Sequence, residues 1–172
     1  CVDPATWSAD PEGNTALIAD TFSRACDIAE EHGERLAAEG EICWGGMHSW
    51  KEMIKLLEQV GRPQTLGFQA DMAHSMLYML GYNAPEDAIL PPAFDWHATP
   101  GFQAAYKQLA DALRPCTLDF PVAQHAGPVK VQGAHDNTGN HCMPNDPSAK
   151  PDSTWAAGPW VRDRQRQVSS TN

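Results

Sequence analysis

The sequence predicts an α/β fold with parallel strands, on three observations. Helical and extended patterns alternate along the chain, the extended runs are short and apolar, and a helix-length segment separates each from the next. Its 172 residues, 42% of them hydrophobic, suffice for one domain with a real core. That domain is expected over residues 1–161, with a polar tail over 162–172. Twelve Lys and Arg against 22 Asp and Glu leave a formal charge of -10, which argues against a nucleic-acid partner because phosphates need clustered cations. No run approaches the roughly 18 apolar residues of a membrane span, so no membrane partner is expected. The five cysteines (Cys1, Cys26, Cys43, Cys116 and Cys142) are scattered without a CxxC pair, which points to free thiols and a cytoplasmic protein.

The elements follow in order. From Asn14 to Gly33, Ile18, Phe22, Ala25 and Ala29 recur at helical spacing. Leu36–Cys43 reads as a buried strand. Ser49, with Glu52 three residues on, forms a capping box that opens a helix, and Gly61 and Pro63 end it. Thr65–Asp71 is a second strand, followed by a short helix through Leu80 that stops at Gly81. Thr99 and Pro100 start a third full helix, with Phe102, Ala105, Tyr106, Leu109 and Leu113 facing the core, and Pro115 closes it. Thr117–Ala123 alternates Leu118, Phe120 and Val122 as a strand, although Pro121 sits inside it. The segment after His125 is irregular, and its stretch 135–142 reads either as solvated turns or as a substrate-covering loop.

Strand starts near 35, 65 and 117 leave room for about three βα units, whereas a closed eightfold barrel takes about 250 residues. The chain is therefore either a small open sheet or part of a barrel. In parallel folds, ligands bind beyond the carboxyl ends of the strands. There the first strand carries Glu39 and Glu41, which a period of two places on one face. The second ends at Asp71, with His74 three residues on and able to reach the same site from a helical turn. Carboxylates and imidazole in this pattern suit Mn, Mg, Co or Zn, or general acid–base work.

The runs Leu36-Ala37-Ala38-Glu39-Gly40-Glu41 and Leu66-Gly67-Phe68-Gln69-Ala70-Asp71-Met72-Ala73-His74 resemble the sugar isomerase/epimerase family of xylose-isomerase-like TIM barrels. The resemblance covers roughly residues 14–152 and implies a partial (β/α)8 TIM barrel. It further implies divalent-metal-dependent isomerisation or epimerisation of a sugar or sugar phosphate. In that reading Glu41 and Asp71 hold the metal, and Glu41 or Glu39 is the general base. His74 contacts substrate oxygens. By position alone, Trp44, directly after the first strand, is a candidate pocket residue, and Lys130, beyond the third, a candidate phosphate contact. Pro121 stands where the family's next metal-binding His would be, so His125 is the expected substitute. The alternative is a barrel remnant that serves as a non-catalytic binding or structural module. Either way, exposed strand edges predict a homo-oligomer or pairing with a missing barrel half.

Overall fold

The computed structural model describes residues 2–91, 94, 99–121, 124–125 and 141–142, with the backbone alone at 99, 124, 125, 141 and 142. Within these lie five α-helices and five short strands. They are α1 Pro4–Trp7, α2 Pro11–Glu31, β1 Leu36–Glu39, α3 Trp50–Val60, β2 Leu66–Gln69, α4 Met72–Leu80, α5 Thr99–Leu113, β3 Thr117–Asp119, β4 Gln124–His125 and β5 His141–Cys142. The class is mixed α/β, as expected. β1, β2 and β3 form one all-parallel sheet in that order, while β4 and β5 pair antiparallel in a separate ribbon, whose second strand lies in the segment that reads as irregular in sequence.

Helix starts follow capping chemistry. Asp10 accepts the Gly13 N–H at 3.0 Å and Pro11 supplies the first helical residue, so α2 begins three residues before its apolar stripe suggested. Ser49 accepts the Glu52 N–H at 3.2 Å at the start of α3. The reciprocal half of the expected capping box is not made: Glu52 pairs instead with Lys55 at 2.5 Å, and Ser49 Oγ donates to Asp87 Oδ2 at 2.6 Å. Gly61 and Gly81, at φ 67° and 61°, end α3 and α4 in the left-handed conformation.

The sheet register pairs Leu36 with Leu66 and Glu39 with Gln69; across the second interface, Phe68 pairs with Thr117 and Gln69 with Asp119. One extra residue, Leu118, bulges β3 over Gly67, where any Cβ would lie 2.4 Å from the Leu118 side chain. All three strands are shorter than expected. β1 stops at Glu39 instead of running to Cys43, because the chain turns at once, with the Glu41 N–H on the Glu39 carbonyl at 3.0 Å. β3 stops at Asp119 instead of continuing through Ala123, two residues before Pro121, which has no N–H to give. The Pro121 carbonyl still accepts the Met72 N–H at 3.4 Å, keeping this segment beside the start of α4.

The core joins Met53, Leu56 and Val60 of α3 to Phe68 of β2, Tyr78 of α4, and Phe102, Tyr106 and Leu109 of α5. α4 is buried on every side from Met72 to Met79, so its start is held rigidly at the carboxyl end of the sheet. No helix among the described residues is long and apolar enough to cross a membrane. Cys26, Cys43 and Cys116 are free thiols, while Cys1 and the Cys142 side chain lie outside the described residues.

Candidate active site

Past the carboxyl end of β1, the chain makes a tight passage at Gly40. A Cβ there would lie 2.1 Å from Tyr78 Oη and 2.7 Å from the Phe68 ring, so only glycine lets the backbone turn against α4. Tyr78 Oη donates to the Met47 carbonyl at 2.5 Å, and Asn83 Nδ2 to the Ile42 carbonyl at 2.6 Å. The Gly45 N–H reaches the Val2 carbonyl at 2.8 Å. Trp7 packs over Gly45 and lies edge-on to His48, ring centres 4.9 Å apart. These anchors fix the backbone on both sides of Glu41.

Past β2, the chain enters α4 at Asp71, whose Oδ1 accepts the N–H groups of Ala73 at 2.8 Å and His74 at 3.2 Å. His74 follows in the first turn, only 3% exposed. Its Nε2 lies 3.3 Å from Glu41 Oε1, and its Nδ1 lies 3.7 Å from Glu39 Oε1. Although Glu41 is outside the strand, it reaches the same imidazole as Glu39, by way of a turn and not by strand alternation. Glu41 is 17% exposed and Glu39 45%, so the ring joins an inner carboxylate to one open to solvent.

Neighbouring groups are held in their uncharged forms. Burial, with the charges of Glu41 and Glu39 adding to it, pushes the Tyr78 phenol well above its ordinary range. Burial and then Glu41 push the Cys43 thiol up to about 11. Neither side chain supplies an anionic nucleophile near neutral pH, which leaves the carboxylates and His74 to handle protons. His48 is buried and accepts the Gly46 N–H at 3.2 Å on Nδ1; burial holds its ring below the usual histidine range despite nearby acids.

Two further residues stand at this end of the sheet. Gln69 pairs in register with Glu39 on one side and Asp119 on the other, giving a polar row across the three strand ends. The sequence signal for Gln69 was present, two residues before Asp71. Asp119 could not be aligned with it before the β3 bulge was known.

The donor set expected for a metal does not assemble from the described residues. Asp71 Oδ1 serves the start of α4, Pro121 offers no ligand, and no three His, Cys, Asp or Glu side chains among the described residues stand close enough to hold an ion. The His125 side chain, Lys130 and residues 135–140 lie outside the described residues; the backbone alone places His125 in β4, paired with His141. Trp44 is half-buried and packs against the core. No family model, curated protein or solved structure matches the chain.

Proposed function

We propose that this chain is part of a (β/α)8-type barrel whose strand-end site isomerises or epimerises a sugar through an enediolate. The observation that carries the reading is the contact of one buried imidazole with two carboxylates, at 3.3 and 3.7 Å, beyond the carboxyl ends of parallel strands. Moving a proton to or from the carbon beside a carbonyl needs a general base held in a partly dehydrated place and a donor to the carbonyl oxygen. Glu41, mostly enclosed and backed by fixed backbone, suits the base. His74, with Glu41 beside Nε2 and Glu39 near Nδ1, suits a group that orients the base and passes its proton towards the solvent-facing carboxylate, and the Gln69 carboxamide suits the donor to the carbonyl oxygen. Gln69 and Asp119 offer hydrogen bonds to substrate hydroxyls.

A divalent ion belongs to this reading only through donors outside the described residues joining Glu41, and no step above passes through it. A cytoplasmic location fits the free thiols. The test is a panel of free ketopentoses and ketohexoses followed by NMR, with and without added Mn²⁺ or Co²⁺. Epimer or aldose formation is the expected result. A well-folded protein with no turnover under either condition favours the non-catalytic module instead.

A further inference from the structure

We propose that residues 2–7 form a strap latched over the segment that carries Glu41, and that the neutral His48 ring is its catch. The strap lies along the loop between β1 and α3. The Gly45 N–H donates to the Val2 carbonyl at 2.8 Å, and a Cβ at Gly45 would lie 2.1 Å from Trp7 Cβ, so only glycine admits the strap this closely. The Trp7 indole N–H donates to Thr15 Oγ1 of α2 at 2.9 Å, and Asn14 Nδ2 donates to the Trp7 carbonyl at 3.2 Å. Two turns carry the constraint on to the site. The Met47 N–H sits on the Trp44 carbonyl at 3.0 Å, and the Trp44 N–H on the Glu41 carbonyl at 3.1 Å.

His48 joins loop and strap. It is 6% exposed, its Nδ1 accepts the Gly46 N–H at 3.2 Å, and its ring meets Trp7 edge-on with centres 4.9 Å apart. Accepting at Nδ1 requires the tautomer with the proton on Nε2. A second proton must then go to Nδ1, where it turns the acceptor into a donor facing the Gly46 N–H. That step breaks the hydrogen bond, strands a buried N–H and charges a buried ring. The charges acting on the ring are those of Glu52 and Lys55 of α3 and of Glu86 and Asp87 in the turn 85–87; the acids favour the second proton and Lys55 opposes it. Asp3, the strap's own acid, is committed to the Thr6 N–H and hydroxyl at 3.0 and 2.7 Å. Burial outweighs the acids and holds the ring below its ordinary value of 6.5. The latch is therefore closed above that value and weakens as pH falls below it.

Amide hydrogen exchange of the full chain, corrected for intrinsic exchange and followed by NMR from about pH 7.5 to about pH 4.5 beside the His48 ring nitrogens, tests this. Gly45 and Gly46 should lose protection roughly tenfold per pH unit below 6.5, the slope for one proton, while Leu56 and Val60 of α3 keep theirs. His48→Asn keeps an oxygen acceptor near the place of Nδ1 and cannot take up that proton, so its Gly45 and Gly46 protection should stay level. Unchanged protection in the parent, a loss shared by α3, an equal loss in His48→Asn, or a ring protonated on Nδ1 alone at neutral pH each overturns the proposal. Should His48→Asn not fold, the parent titration decides by itself. No turnover enters any of these readings.

Discussion

His74 owes its place to three separate features: a fully buried helix, a carboxylate capping that helix one turn earlier, and acidic side chains facing both ring nitrogens. Asp71 is the residue where structural and chemical roles overlap, and substitution can separate them. Asn caps a helix about as well as Asp, while Ala gives up roughly 1 kcal/mol. In urea denaturation Asp71→Asn should therefore stay near the parent and Asp71→Ala should fall by about that amount. A loss of turnover in the folded Asp71→Asn protein would assign the negative charge, and not the cap, to function. Asp87 makes a second residue-scale case. Burial alone would raise its carboxyl, but hydrogen bonds from Lys51 and Ser49 and the charges of Lys51 and Lys55 hold it below its ordinary value of 3.8. The stabilisation is complete above that value and is lost as pH falls through the lower folded value. Asp87→Asn should cost about 1–2 kcal/mol at neutral pH, since Lys51 is half exposed, and the difference from the parent should close in strong acid.

Among the elements, α4 and the turn at Gly40 decide where the site sits. Gly40→Ala forces a methyl into the buried, hydrogen-bonded Tyr78 and should destabilise by about 2–3 kcal/mol in thermal or urea melts. Tyr78→Phe keeps the ring and strands only the Met47 carbonyl, so a smaller loss of about 1–2 kcal/mol is expected. The order of helices and strands was legible because apolar spacing and caps are local: Ser49 caps α3, and Gly61 and Gly81 end α3 and α4, as their residue types suggested. Strand lengths were not. β1 ends at Glu39 because Gly40 must clear Tyr78, a contact 38 residues away in sequence that no local pattern carries. α1 was missed for a related reason: four residues have no periodicity to read, and its role is to lay Trp7 over Gly45. Within the site, Glu39, Glu41 and His74 could be nominated by spacing, but the imidazole lying between the two carboxylates could not. The register that sets Asp119 beside Gln69 depends on a bulge at Leu118, which is a property of the pairing and not of either strand.

At the scale of the whole molecule, three parallel strands gather acidic groups from separate βα units at one end of the sheet, while Arg24, Lys51, Lys55, Arg62 and Lys107 are engaged in ion pairs with other acids. That polarity ties the fold to the proposed chemistry: the sheet end supplies the base and the hydroxyl-binding row, and the buried start of α4 supplies the imidazole. β1 stands at the edge of this sheet, paired only with β2 among the described strands. A partner or further strands on that edge remain part of the proposal, and sedimentation of the chain at micromolar concentration should show self-association. The most direct test is solvent-deuterium incorporation into a free ketose at the carbon beside its carbonyl, followed by proton NMR for the parent and Glu41→Gln. The expected result is steady incorporation by the parent and a fall of about 10²-fold or more in a Glu41→Gln protein that is still folded. Equal incorporation by both proteins, or none by the parent, would contradict the assignment of Glu41 as the base.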